Sequence, residues 1–113
     1  MRFRQINDDF AVCGQIKPAD LSEVKRLGFR SVIVNRPDGE GWRQPRFAEM
    51  EEAARTEGLS TRYIPIGGGV SDAELKAFAK AYKELPKPVL AYCRSGNRSA
   101  TLWALANQHG VVS

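Results

Sequence analysis

The chain has 113 residues, enough for one compact core, so the sequence predicts a single domain over residues 1–113. The net charge of +4 is modest and no basic tract carries interleaved aromatic residues, which argues against nucleic-acid binding. No apolar run approaches the roughly 18 residues of a membrane span, and MRFRQINDDF lacks a signal-peptide core. The two cysteines do not indicate a disulfide framework, so we expect a cytoplasmic protein.

The first half of the chain predicts two short strands, a helix and a buried strand. The short strands cover Arg2 to Ile6 and Phe10 to Cys13. The helix opens at Lys17-Pro18-Ala19-Asp20 and ends at Gly28, and its apolar stripe consists of Leu21, Val24 and Leu27. The run from Ser31 to Val34 is rich in β-branched residues, which is typical of a central parallel strand.

The second half continues the alternation of helices and strands. The predicted elements are a helix from Pro45 to Gly58, a strand from Thr61 to Ile66, a helix capped at Ser71, a strand from Val89 to Tyr92 and a helix from Ala100 to Gln108. This alternation predicts a three-layer α/β sandwich around a mostly parallel sheet of four to five strands. Ligands of such folds bind beyond the carboxyl ends of the strands.

The most informative motif follows the last predicted strand and reads Cys93-Arg94-Ser95-Gly96-Asn97-Arg98-Ser99. Backbone N–H groups of a tight loop at a helix N-terminus converge on negative charge. The same field, together with the two arginines, should lower the pKa of Cys93 and hold it as a thiolate. We therefore predict an enzyme that uses a cysteine nucleophile, with Cys93 and Arg98 as catalytic residues. The four residues between Cys93 and Arg98 are predicted to bind an anion, together with Ser99.

The spacing within this loop bears on the reaction. Cysteine-dependent phosphatases share a Cys-x5-Arg loop, whereas four residues separate Cys93 from Arg98 here. The segment CRSGNRS instead resembles the shorter active loop of rhodanese-type sulfurtransferases. A smaller ring suits a persulfide, and Ser99 stands where the phosphatase arginine would fall.

A second charged loop, Asn35-Arg36-Pro37-Asp38-Gly39-Glu40, supplies candidate acids. Dual-specificity phosphatases resemble one another in placing their acid near the strand predicted here over Thr61 to Ile66, but no Asp or Glu lies between Leu59 and Ser71. Asp38 is the predicted substitute, with Glu40 and Asp72 as alternatives. An Asx turn is an equally good interpretation of Asp38. Arg36 either pairs with one of these carboxylates or points at the substrate.

A wider resemblance is carried by VIVNRPDGE, GQI, EGL, RYIPI and CRSGNRS. Together these segments resemble the phosphatase-like domain of beta-lactamase-hydrolase-like proteins, a family related to dual-specificity phosphatases. The resemblance implies the protein tyrosine phosphatase fold. It also implies sulfur metabolism, since members occur alone or joined to persulfide dioxygenase or sulfide-oxidising domains.

The leading hypothesis is a rhodanese-type sulfurtransferase that moves sulfane sulfur from a persulfide or thiosulfate, through a Cys93 persulfide, to a thiol or sulfite. The alternatives are a phosphatase working through a Cys93 phosphocysteine, and a non-catalytic oxyanion-binding partner of a persulfide dioxygenase. We expect a small anionic sulfur or phosphate substrate, with no cofactor and no metal. Cys13 is either a resolving thiol or, more simply, a buried structural residue.

Overall fold

The structure, a computed structural model, describes residues 1–110, so the last three residues of the predicted domain lie outside the described residues. Its strands are β1 (Arg4–Asn7), β2 (Phe10–Cys13), β3 (Ser31–Val34), β4 (Ser60–Tyr63) and β5 (Val89–Tyr92). They form one sheet in the order β1-β2-β5-β3-β4. Only the edge strand β1 is antiparallel to its neighbour, and the other three pairings are parallel. The mostly parallel sheet is therefore confirmed.

Helices cover both faces of the sheet. They are α1 (Leu21–Arg26), preceded by a 3-10 turn, α2 (Phe47–Thr56), α3 (Asp72–Glu84) and α4 (Asn97–Gln108). One apolar cluster joins the sheet to α1 and α2, and a second joins it to α3 and α4. The predicted three-layer sandwich is thus confirmed.

The central strand β5 shows why the sequence forms this architecture. Val89 and Ala91 belong to the cluster with α3 and α4, whereas Leu90 and Tyr92 belong to the cluster with α1 and α2. Side chains alternate between the faces of a strand, and both faces are covered by helices. All four residues are therefore buried, which explains why the strand is an unbroken apolar run.

Several predicted boundaries differ from the structure. The helix predicted from Pro45 begins at Phe47, the last helix begins at Asn97 instead of Ala100, and the strand predicted over Thr61 to Ile66 covers Ser60–Tyr63. Leu27 is 46% exposed and does not belong to the core stripe. Because α1 ends at Arg26, Leu27 lies beyond its last full turn and no longer faces the sheet.

Hydrogen bonds join the loops at the carboxyl edge of the sheet. The Cys93 amide donates to the Cys13 carbonyl at 3.4 Å, and the Asn35 amide donates to the Tyr92 carbonyl at 2.8 Å. The loops after β2, β3 and β5 are therefore held side by side, where the fold predicts a ligand. None of the helices within residues 1–110 is long and apolar enough to cross a membrane.

Candidate active site

Gly96 shapes the loop that follows β5. It has a φ of +94° and stands immediately before α4, whose first residue is Asn97. Positive φ is readily available to glycine and strained for other residues. A Cβ at this position would also lie 3.2 Å from the Cys13 carbonyl carbon and oxygen. Backbone conformation and close packing both require glycine, and together they turn the loop back over Cys93.

Cys93 lies buried at the centre of this loop. Burial alone would raise the pKa of its thiol, but backbone amides oppose this effect and the pKa is lowered. The Gly96 amide donates to the sulfur at 3.1 Å. Further amide donors to the same sulfur come from Ser95, Arg98 and Ser99. These N–H groups lie at or near the start of α4, where the helix dipole also favours negative charge.

Cys13 is a neighbour of Cys93 with the opposite electrostatic character. Burial, with a smaller contribution from the Cys93 charge, raises the pKa of the Cys13 thiol to about 12. Cys13 is therefore protonated at neutral pH and is not an alternative nucleophile. Its buried position agrees with the structural interpretation, and a resolving role stays untested.

An ultraviolet titration of thiolate absorbance should separate the two cysteines. We expect the Cys93 thiol to ionise with a pKa below the ordinary value of 9.0, and the Cys13 thiol to ionise only near pH 12. The Cys93→Ser variant should lose the first transition, and the Cys13→Ser variant should lose the second. A first transition at or above 9.0 in the wild type would contradict a loop that stabilises the thiolate.

Arg98 is held over the loop by three hydrogen bonds. Its guanidinium donates to both carboxylate oxygens of Glu40, each at 2.6 Å, and to the Ile66 carbonyl at 2.7 Å. The Cys93 sulfur also lies within hydrogen-bonding reach of the guanidinium. This planar fork places a fixed positive charge beside the Cys93 sulfur, as an anion site requires.

Arg36 extends the same network and does not point freely at a substrate. Its Nε donates to Glu40 at 2.9 Å, and another guanidinium nitrogen donates to Gln15 Oε1 at 3.0 Å. The side chain is 11% exposed. Of the possibilities left open by the sequence, the structure therefore shows pairing with Glu40.

Glu40 is the carboxylate between these two arginines. Hydrogen bonding from Arg98, reinforced by Arg36, outweighs desolvation and lowers the pKa of Glu40 to about 2. Glu40 is therefore ionised throughout the physiological pH range. It has no proton to donate, so its geometry suits positioning of Arg98 rather than general acid catalysis.

This low pKa predicts how acid weakens the site. The pKa of the Glu40 carboxyl is about 2 in the folded protein, compared with an ordinary value of 4.5. The contribution of this carboxylate to stability is therefore complete above pH 4.5 and is lost as pH falls towards 2. Because Glu40 is partly exposed, we expect wild type to exceed Glu40→Gln by about 0.5–1 kcal/mol in free energy of unfolding. Urea denaturation at several pH values measures this difference. An advantage that already declines above pH 4.5 would contradict the expectation.

Asp38, the predicted acid, makes a different contact. Its Oδ1 accepts from the Phe47 amide at 2.8 Å, and its own amide donates to the Tyr63 hydroxyl oxygen at 2.9 Å. Asp38 thus binds the first amide of α2, where orphan N–H groups need acceptors. This is neither an Asx turn nor a contact with the Cys93 loop. A role for Asp38 as an acid stays a prediction.

Asn35 is a site residue that sequence reasoning did not single out. It is fully buried, accepts the Ser99 hydroxyl at 2.8 Å and donates to the Ile64 carbonyl at 2.8 Å. Ser99 therefore bonds to Asn35 through its side chain while its amide serves Cys93. A polar residue directly after the β-branched run of β3 was the available signal, because buried polar groups need partners.

The other predicted anion-binding residues lie on the outer side of the loop. Arg94 is exposed, and its carbonyl accepts from the Gln15 amide at 3.1 Å. Ser95 and Asn97 are also exposed, and the Asn97 amide donates to the Ser95 hydroxyl at 3.3 Å. Within residues 1–110, no group of three or more His, Cys, Asp or Glu side chains is arranged to hold a metal ion.

The family model for the phosphatase-like domain of beta-lactamase hydrolase-like proteins matches residues 2–110. The chain belongs to this family. A beta-lactamase hydrolase-like protein from Xylella fastidiosa (strain 9a5c) is 37% identical over 107 residues, which cover 94% of this chain. A second such protein, from Agrobacterium fabrum, is 35% identical over 106 residues, which cover 93% of this chain. Each match spans 25% of the relative, so this chain corresponds to about a quarter of those proteins.

Solved structures of phosphatase folds resemble this family member. A provisionally assigned phosphatase from Neisseria meningitidis superposes with a TM-score of 0.86 at 28% identity, over 95% of this chain and 77% of that chain. The catalytic core of a PP-IP phosphatase from Saccharomyces cerevisiae has a TM-score of 0.71 at 19% identity. The match covers 94% of this chain and 64% of that chain. The second likeness shows the fold alone.

These comparisons confirm the predicted protein tyrosine phosphatase-like fold and the family resemblance. They place a cysteine-centred loop on an enzyme fold of the phosphatase type. They favour the phosphatase hypothesis over the sulfurtransferase hypothesis, which none of them supports.

Proposed function

We propose that this domain is a cysteine-dependent phosphatase that works through a phosphocysteine at Cys93. The observation that carries the proposal is the Cys93 sulfur, which accepts backbone amides of its own loop beside a fixed Arg98. Such an arrangement supplies an ionised nucleophile and donors for phosphoryl oxygens at one point. The phosphatase-type fold supports the same interpretation.

The reaction would proceed in two displacements. The Cys93 thiolate forms an S–P bond while the P–O bond to the leaving group breaks. Loop amides and the Arg98 guanidinium stabilise the negative charge on the transferring phosphoryl oxygens. Water then attacks phosphorus, inorganic phosphate departs and the thiolate is restored. Glu40 would keep the guanidinium in place during both steps.

A sulfurtransferase is the second candidate, and one observation favours it. Four residues separate Cys93 from Arg98, one fewer than in the Cys-x5-Arg loop. A smaller ring suits the single outer sulfur of a persulfide. A persulfide dioxygenase or another sulfide-oxidising enzyme would be the natural partner. Both cysteines are free, which supports a reducing compartment such as the cytoplasm for either function.

Mass spectrometry of the trapped protein separates the candidates. The protein is mixed with 4-nitrophenyl phosphate or with glutathione persulfide, quenched in acid and digested. The proposal expects a phosphoryl adduct on the Cys93 peptide, and the same adduct in the Cys13→Ser control. A thiol-labile adduct of one sulfur atom without phosphate release would establish sulfur transfer instead. No adduct and no turnover with either reagent would favour an oxyanion-binding module.

A further inference from the structure

The carboxyl group that pairs with Arg98 beside Cys93 is not readily protonated. Glu40 has a pKa of about 2, and both of its carboxylate oxygens accept hydrogen bonds from Arg98. To donate a proton, Glu40 would first have to be protonated, and protonation would break its ion pair with Arg98. A general acid works best when its pKa lies near the operating pH. Glu40 is therefore unsuited to protonating a leaving group.

Two further carboxylates near this edge of the sheet bond to backbone amides. Asp38 accepts the Phe47 amide at 2.8 Å, and Asp20 accepts the Lys17 amide at 2.8 Å. Both contacts hold the start of a helical segment. One carboxyl oxygen of each residue is therefore engaged in holding the backbone.

Asp72 is removed from the site by distance. It lines a surface pocket with His109, which directly follows the last turn of α4. The 12 residues of α4 span about 18 Å, and Cys93 lies near the opposite end. Between Leu59 and Ser71 the sequence has no Asp or Glu. Each of these candidate carboxyl groups is thus either bonded to an arginine or a backbone amide, or lies far from Cys93.

The surroundings of the loop are instead cationic. A cavity of about 230 Å³ lies against the outer side of the loop, and its lining includes Arg2, Arg4 and the loop residue Asn97 but not Cys93 or Arg98. Arg94 lies exposed on the loop itself. Within residues 1–110, none of Arg2, Arg4 and Arg94 forms an ion pair with a carboxylate. Positive charge near the loop favours a departing anion without transferring a proton to it.

From these two observations we infer the substrate class, given the phosphatase function proposed above. The substrates are phosphate compounds whose leaving group departs as a stable anion: phosphoanhydrides, acyl phosphates and esters of acidic phenols. Cys93 forms the S–P bond, and the electron pair of the breaking P–O bond stays on the leaving oxygen, which needs no proton. Hydrolysis of the phosphocysteine consumes one water, whose protons stay on phosphate or pass to solvent. Alkyl phosphates such as phosphoserine are poor substrates.

The dependence of rate on leaving-group pKa tests this inference. kcat/KM is measured for aryl phosphates whose phenols span several units of pKa, and for acetyl phosphate, inorganic pyrophosphate and phosphoserine. We expect kcat/KM to fall about fivefold or more for each unit of phenol pKa, with phosphoserine slowest. The acetyl phosphate and pyrophosphate arms distinguish acyl phosphates from phosphoanhydrides as preferred substrates.

Other outcomes would contradict one proposal or the other. A decrease of less than about twofold per unit, or efficient cleavage of phosphoserine, would show that an acid operates and would overturn the substrate class alone. No Cys93-dependent cleavage of any compound would overturn the phosphatase function itself.

The Asp38→Asn variant identifies an acid if there is one. Asparagine keeps an Oδ1 acceptor for the Phe47 amide but carries no acidic proton. We expect the steep dependence on phenol pKa to be the same in the variant and in wild type. A variant that slows the esters of weakly acidic phenols and spares those of strongly acidic ones would establish Asp38 as the acid and overturn the inference.

Discussion

Replacing Cys93 by serine is expected to lower kcat for 4-nitrophenyl phosphate by at least about 10⁴-fold without unfolding the domain. The serine hydroxyl is a poor nucleophile because the loop amides lower the pKa of a thiol but cannot ionise an alcohol at neutral pH. Its size is similar, and the bond from the backbone amide at this position to Cys13 is retained. Steady-state phosphate release measures the loss.

Anion binding and a second cysteine variant serve as controls for this prediction. The Cys93→Ser protein should still bind inorganic phosphate within a few-fold of wild type, because the amides and Arg98 remain. Cys13→Ser should retain turnover, since Cys13 is a protonated thiol with a pKa of about 12. Substantial turnover in Cys93→Ser would mean that another group is the nucleophile.

Replacing Arg98 by lysine is expected to lower kcat/KM by about 10²–10³-fold, although the positive charge is kept. Lysine cannot reproduce the planar fork that contacts both oxygens of Glu40 and the Ile66 carbonyl. Its ammonium group would therefore be poorly fixed beside the Cys93 sulfur. Arg55→Lys is a matched control, because Arg55 pairs with Glu52 on the exposed surface of α2 and should change kcat/KM little.

A double-mutant cycle shows whether Glu40 acts through Arg98. If Glu40 only positions the guanidinium, Glu40→Gln should reduce kcat/KM clearly in wild type and much less in the Arg98→Lys background. Equal losses in the two backgrounds would indicate an independent role for Glu40, such as proton donation. This comparison therefore separates a positioning role of Glu40 from an independent one.

Several features of the fold and site could be predicted from residues close together in the chain. The apolar run Val89–Tyr92, the glycine at position 96 and the helix after it specify a strand, a turn with positive φ and a row of amides. Such local patterns can be predicted from the sequence because neighbouring residues determine backbone conformation. Even so, α4 begins three residues before its predicted start. Its first turn carries polar residues whose amides face the Cys93 sulfur, so the apolar pattern begins only after the helix does.

The role of each carboxylate was decided by contacts across the fold. Asp38 and Glu40 lie two positions apart in one loop, and the sequence makes both of them candidate general acids. In the structure Glu40 meets Arg98, 58 residues away, whereas Asp38 meets the first amide of α2. The pKa of a carboxyl group depends on charges and donors within a few ångströms. Sequence position alone does not specify those neighbours.

The sequence by itself therefore determined the position of Cys93 after a buried strand, the loop that holds it and the layered α/β architecture. Each of these follows from local patterns of apolar residues, glycine and charge. Only the tertiary structure decided that Glu40 positions Arg98, that Arg36 supports it and that Asn35 holds Ser99 from 64 residues away. Parallel strands bring their carboxyl ends to one edge, where residues from distant segments meet. The bonds formed at that edge set both the charge of Glu40 and the orientation of the site.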